Sequence, residues 1–320
     1  MKPVIAVAGE ALIDLFEDDD GLHPYPGGGP YNTAVALGRL GVPVAFVGRL
    51  SNDPFGRLLE ARLAESGVDR RYVLRGSAPT PLALVHATDD GDHTFSFYLA
   101  ETAYADVIID DLPSLDGGVA ALSVGTLALA TDPPATAFEE LMARESGKRL
   151  VVVDPNIRAG IVGDHDAYVR RFESWGDCAH VIKLSDADAD WLYPGVAYEA
   201  LVETILARGP RLVVLTLGAE GAIARTAAAR ARVAAHDVDV VDTVGAGDAF
   251  GAGLLFRLWQ TGRLDARAVG RMDDDELADL LRVASAVATL QCSRAGATPP
   301  TVDEVERFLA SLEADSTQYS

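Results

Sequence analysis

Two spacings of apolar residues alternate along this chain. Short runs rich in aliphatic and β-branched side chains occupy residues 4–8, 44–47, 120–124, 150–153, 181–184 and 212–217, and their length and content predict buried strands. Between them, residues 32–40, 56–66, 134–144, 197–208 and 248–261 carry apolar side chains three and four positions apart, which places them on one helix face. Strands that alternate with helices predict an α/β fold, in which crossover helices cover both faces of a mostly parallel sheet.

Residues 82–98 break the rhythm. The runs 82–88 and 93–98 flank Asp89, Asp90, Gly91 and Asp92, the pattern of a β-hairpin. With a strand-like stretch near residues 12–25, it predicts a small second sheet that projects from the main one as a lid over a ligand cleft. Apolar Leu82, Leu84, Phe95 and Phe97 need cover on one face of that sheet, a need that a second copy of the chain would meet in a homodimer.

A length of 320 residues exceeds the common domain size but suits one α/β domain with an insertion. The expected layout is a single domain over residues 1–312, lid segments near 12–26 and 80–107, and a fraying tail at 313–320. A formal net charge of −21 sets the surface against nucleic acid, whose binding rests on Lys and Arg neutralising phosphates. It leaves room for a small phosphorylated ligand held by backbone amides. No apolar run approaches the roughly 18 residues of a membrane span, so no membrane partner is expected. Cys178 and Cys292 are too few for a disulfide framework, and residues 1–8 lead straight into a strand-like run, so the location expected from sequence is cytoplasmic. Neither cysteines nor histidines show metal-ligand spacing, which argues against zinc.

Two glycine clusters carry the chemistry. The segment DTVGAGDAFGAG, residues 242–253, follows a strand-like run at 238–241 and opens a helical pattern. Small residues there allow a tight turn and leave amides without helical partners, so that Gly245, Ala246 and Gly247 offer an anion site at a helix start. A carboxylate at Asp248 would repel a phosphate unless it had its own task. Taking a proton from an attacking hydroxyl is one such task, and capping the helix is a plainer one. Neither a P-loop nor a dinucleotide fingerprint fits, since no G-x-x-x-x-G-K-[ST] occurs and Phe250 stands where the latter needs glycine. In the second cluster, Gly27-Gly28-Gly29-Pro30-Tyr31-Asn32, the polar Asn32 serves either a ligand or a cap. The acidic run 273–276 reads as the first turn of a helix rather than a metal site.

GGGPYNTAVALGRLG (27–41) with VGRLSNDPFG (47–56), and DTVGAGDAFGAG, resemble the two defining motifs of the PfkB-type, ribokinase-like sugar kinases. GEALIDLF (9–16), VDPNIR (153–158), KLSDADADWL (183–192), TLGAEGA (216–222) and CSRAGATPPT (292–301) extend the resemblance over nearly the whole chain. Within the family these blocks are most similar to fructokinase-type members. The resemblance implies a three-layer α/β/α ribokinase-like fold with a β-sheet lid. It also implies transfer of the γ-phosphate of MgATP to a primary hydroxyl of a small sugar. Fructose is the first choice, with 2-keto-3-deoxygluconate or ribose as alternatives.

Position by position, the resemblance makes Asp248 the base and Gly245, Ala246 and Gly247 the anion hole. Sugar contacts fall on Asp14, Gly27, Gly28, Asn32 and Arg158, and nucleotide contacts on Ser185, Thr216, Gly218, Gly221 and Ser285. Asp188 would meet Mg²⁺ through water, and Asp242, Val244, Arg294 and Gly296 map onto a region for a monovalent cation such as potassium. Ser185, Asp188 and Ser285 depart from the family's common Asn, Glu and Asn, which loosens the nucleotide and magnesium assignments there. A reading of a different class is a sugar- or nucleotide-binding regulatory protein that keeps the fold without turnover. Retention of Asp248, the glycines and Asn32 favours the enzyme.

Overall fold

The computed structural model describes residues 2–18, 21–87 and 93–318. Its strands are β1 (Val4–Ala8), β2 (Leu12–Asp18), β3 (Gly21–Gly27), β4 (Val44–Ser51), β5 (Val73–Gly76), β6 (Leu82–Ala87), β7 (His93–Tyr98), β8 (Val119–Gly125), β9 (Leu150–Asp154), β10 (Val181–Ser185), β11 (Leu212–Thr216), β12 (Ala222–Arg225) and β13 (Arg230–Val233). The helices are α1 (Gly29–Arg39), α2 (Pro54–Glu65), α3 (Pro134–Ser146), α4 (His165–Ser174), α5 (Asp186–Leu192), α6 (Tyr198–Leu206), α7 (Ala246–Gln260), α8 (Ala266–Val269), α9 (Asp274–Cys292) and α10 (Val302–Gln318).

The main sheet has nine strands in the order β13-β12-β11-β10-β9-β8-β1-β4-β5, parallel except at β12 and β13. Alternation along each strand divides the core in two, since successive side chains point to opposite faces. Ile5, Val7, Leu150, Val152 and Val214 face α1, α7 and α9, whereas Ala6, Ala8, Val151, Val153 and Val213 face α3, α4 and α6. This three-layer arrangement puts the C-terminal ends of the parallel strands on one edge, where open α/β sheets bind ligands.

Of the strand-like runs, 238–241 is irregular backbone rather than a strand. Val240 and Val241 are 63% and 62% exposed, so no burial supports an extended pairing there. The short strand β12 and the edge strand β13, with Arg225, Arg230 and Arg232, are too short and too charged to read as apolar runs in the sequence. The acidic run does open a helix. Asp273 caps α9 by accepting the Glu276 N–H at 2.9 Å while Glu276 Oε2 accepts the Asp273 N–H at 3.1 Å, a closed capping box.

The second sheet has the order β3-β2-β6-β7, and β6 pairs β7 antiparallel from Leu82 opposite Tyr98 to Ala87 opposite His93. The turn residues Asp89 to Asp92 lie outside the described residues. The chain itself covers two of the apolar residues that were expected to need a partner. Leu82 packs on the main core, and Phe97 packs on Leu12, Ala83, Tyr104 and Leu127. Exposure falls instead on the edge strands, at Leu22, Tyr25, Phe95 and Tyr98. At the C-terminus α10 continues to Gln318, past the point where the tail was expected to fray. Among the described residues no helix is long and apolar enough to cross a membrane.

Candidate active site

A cleft of about 910 Å³ opens between the small sheet and the C-terminal strand ends, lined by Glu10, Asp14, Gly28, Asn32, Phe95, Phe97, Asn156, Arg158 and residues 240–248 among others. Both glycine clusters meet at its floor. Gly28 at φ 107° caps α1, and Gly245 at φ 75° caps α7, backbone conformations that side chains with a Cβ rarely adopt. A Cβ on Gly29 would lie 2.1 Å from Thr126 Oγ1 and 3.2 Å from Asp248 Oδ1, so the two helix starts meet only because that position is glycine.

Asp248 stands in the first turn of α7 and is 8% exposed. Asn32 Nδ2 donates to its Oδ2 at 2.9 Å, and Asn156 Nδ2 reaches its Oδ1 at 3.5 Å. Asn156 is held at φ 40° and accepts from Arg158 Nη1 at 2.6 Å, so guanidinium, amide and carboxylate form a chain across the floor. Burial pushes the Asp248 carboxyl up to about 6, against the Asn32 amide, which favours the charged form. Asp14 is pushed up to about 7 by burial and by the charge of Asp248, with Arg158 acting the other way. Glu10 is raised further, to about 8, by burial, although the N–H groups of Ala128 and Gly29 favour its carboxylate.

Of the amides assigned to the anion hole, that of Ala246 turns back to the Thr243 carbonyl at 3.1 Å. The assigned Gly247 amide, and that of Asp248 after it, precede Ala249, whose N–H bonds the Gly245 carbonyl one turn back at 2.8 Å. Gly27 acts at one remove from the ligand: a Cβ there would lie 2.0 Å from Asp14 Oδ2, so its bareness is what lets Asp14 sit where it does.

Lys183 and Asp154 were not singled out in the sequence. Lys183 Nζ donates to Asp154 Oδ2 at 2.7 Å, its side chain 4% exposed, and a Cβ on Gly247 would lie 3.4 Å from that ammonium. Burial pulls the Lys183 ammonium down, but Asp154, Asp188 and Asp248 outweigh it, and its pKa lies above the ordinary value. Oδ1 of Asp154 is buried without a hydrogen-bond partner among the described residues. The available signal was one charge inside each of two apolar strand runs, VIKLS and LVVVD.

The nucleotide-side assignments fare differently. Ser185 and Thr216 lie in register at the ends of β10 and β11, and Thr216 Oγ1 donates to the Leu184 carbonyl at 3.3 Å. Ser185 caps α5 in a capping box with Asp188. Both Asp188 oxygens are thereby occupied, Oδ2 by Ser185 N and Oγ at 2.8 and 2.7 Å and Oδ1 by Ile157 N at 2.6 Å. Gly218, at φ 52°, meets open space, whereas Gly221, at φ 95°, would place a Cβ 2.0 Å from the Val233 carbonyl, so packing of β12 on β13 accounts for it. Ser285 is buried within α9. Arg294 turns away from the proposed cation region and pairs with Glu304 at 2.6 Å.

Residues 2–304 match the family described as pfkB family carbohydrate kinase. The chain belongs to that family. It is 37% identical over 279 residues to a fructokinase of Rhizobium leguminosarum bv. trifolii, covering 86% of this chain and 85% of the relative. A fructokinase from Xylella fastidiosa solved with bound ATP superposes with a TM-score of 0.90 at 29% identity, covering 98% of this chain and all of that one. A double mutant of Vibrio cholerae fructokinase, solved in a form with fructose, ADP and potassium ion bound, gives 0.84 at 28% identity, covering 96% and 98%. The fold is ribokinase-like, and this carbohydrate kinase is a phosphotransferase.

Proposed function

We propose that this carbohydrate kinase is a fructokinase that uses MgATP, with Asp248 as general base. The observation that carries the reading is the setting of Asp248, a buried carboxyl at a glycine-capped helix start, 2.9 Å from the Asn32 amide and facing a cleft lined by Asp14, Asn32 and Arg158, where burial pushes its pKa up to about 6. A carboxyl so poised is ionised near neutral pH yet basic enough to accept a proton as the hydroxyl attacks. Asp14, Asn32 and Arg158 present acceptors and donors suited to a polyhydroxylated ligand, and the names of the relatives favour fructose.

The reaction follows from this placement. A primary hydroxyl of the sugar lies against Asp248, held by Asp14 and Arg158. As its oxygen bonds to the γ-phosphorus of ATP, its proton passes to Asp248 and the bond to the β-phosphate oxygen breaks, leaving ADP. The amides of Gly247 and Asp248 and the Lys183 ammonium stabilise the charge that spreads over the transferring group. Asp188, and Asp154, whose Oδ1 has no hydrogen-bond partner among the described residues, would meet the water shell of magnesium, which would neutralise phosphate charge when bound. The small sheet serves as a lid that excludes water, so that sugar rather than water accepts the phosphoryl group.

The test is ADP release with fructose, 2-keto-3-deoxygluconate, ribose and adenosine in parallel. Highest kcat/KM with fructose is expected. A preference for another sugar would overturn the fructose assignment alone, and no turnover with any acceptor would favour the sugar- or nucleotide-binding regulatory protein.

A further inference from the structure

Just upstream of the anion site, segment 242–244 is tied down from three directions. Asp242 Oδ1 accepts the Val244 N–H at 2.9 Å, and Asp242 Oδ2 accepts the Gly296 N–H at 2.8 Å. The carbonyl of Cys292, at the end of α9, accepts the N–H groups of Val241 and Asp242 at 2.8 and 3.2 Å. From the last turn of α9, Gln291 Nε2 donates to the Gly296 carbonyl at 2.6 Å and to the Val244 carbonyl at 3.2 Å.

This is the region that family resemblance gives to a monovalent cation, and the residues present do not fit one. A potassium ion is held where several carbonyl oxygens converge and replace its water shell. Here the convergence point of the Val244 and Gly296 carbonyls is filled by an amide group from a side chain 1% exposed. The two neighbours can only accept, so it is the NH₂ end of Gln291 that must face them. Both Asp242 oxygens are engaged by backbone donors, and Arg294 is turned toward Glu304. No charged donor set is left for an ion to complete.

We infer that Gln291 is a positioning residue that takes the place of a monovalent cation, so that this kinase works without potassium. Its carboxamide fixes the Val244 carbonyl, and Val244 leads into Gly245 and the amides at the head of α7. The phosphate site is thereby set by a covalently attached donor, at no cost in ion binding. The inference rests on reading the head of α7 as the phosphate site.

The experiment compares ADP affinity by calorimetry and initial rates in potassium, sodium and tetramethylammonium chloride. For the unaltered protein, agreement within about twofold is expected at matched ionic strength, where screening is equal. Gln291→Ala strips two half-buried carbonyls of the donor they share. It should weaken ADP binding about tenfold in tetramethylammonium, the scale of a lost buried hydrogen bond, and potassium should restore part of that loss. Potassium dependence of ADP binding in the unaltered protein would overturn the inference, as would an unchanged ADP affinity in Gln291→Ala without potassium. If that variant does not fold, the salt comparison on the unaltered protein decides alone. Absence of ADP binding in every salt would instead defeat the phosphate-site reading.

Discussion

Asn32 and Asp248, 216 positions apart, join side chain to side chain at 2.9 Å, the first from the start of α1 and the second from the start of α7. Each helix begins on a glycine at positive φ, and neither start has a side-chain cap. Asn32 is therefore free to serve Asp248 rather than its own helix, and it stabilises the charged carboxylate of a group that burial would otherwise keep protonated.

If Asp248 is the base, Asp248→Asn keeps the shape of the cleft and removes the proton acceptor. We expect kcat to fall by about 10²–10⁴-fold, the usual worth of general base catalysis, with sugar and ADP affinities changed little by calorimetry. Turnover close to that of the unaltered protein would return Asp248 to the role of a helix residue.

The pH profile follows from the same group. The reactive form is ionised, so kcat/KM should be constant at high pH and fall through an acid limb as pH drops past about 6. Asp14, raised to about 7, shares that limb, because two interacting carboxyls lose their protons as a pair. Removing the donor in Asn32→Ala destabilises the charged form of Asp248 and should move the limb to higher pH. Asp14→Asn removes the carboxyl that titrates higher of the two and should leave a limb near 6 that belongs to Asp248 alone. A limb that stays in place in both variants would mean that it reports another group.

Lys183 and Asp154 call for a pair of measurements. Lys183→Met leaves Asp154 buried and unpaired, which should cost about 3–5 kcal/mol of stability by denaturant unfolding. Adding Asp154→Leu removes the stranded charge and should recover much of that stability. If Lys183 and Asp154 serve the transferring phosphoryl group and its magnesium, the double variant remains poor in kcat despite its restored fold. Recovery of activity along with stability would make the pair structural.

The sequence made the main sheet legible because its strands are buried on both faces and read as plain apolar runs, as β9 and β11 do. It drew attention to Asp248 and Asn32 because each stands beside glycines at a helix start, a place that serves a cap as well as a ligand, and only the pairing of the two clusters favoured the ligand. The Lys183–Asp154 pair stayed hidden, since a single charge in such a run declares its partner only when β9 and β10 lie side by side. Ser185 and Asp188 carry two meanings in the sequence: a serine followed three residues later by a carboxylate is both a ligand-binding pattern and a capping box, and the start of α5 forms the box. Gln291 carries no motif at all, and its meaning comes from two carbonyls, that of Gly296 just past the end of α9 and that of Val244 ahead of α7.

Gly27 offers a test of the sugar side that leaves every charged group in place. At the end of β3 it passes Asp14 so closely that a Cβ would lie 2.0 Å from Oδ2 and 2.8 Å from the carboxyl carbon. In Gly27→Ala the Asp14 side chain must swing aside, because the backbone of β3 is fixed by its pairing with β2. If Asp14 binds a sugar hydroxyl, KM for the sugar should rise by about tenfold or more, the worth of one charge-assisted hydrogen bond. KM for ATP should change much less. An equal rise in both Michaelis constants would point to a general loosening of the small sheet and remove Asp14 from the sugar contacts.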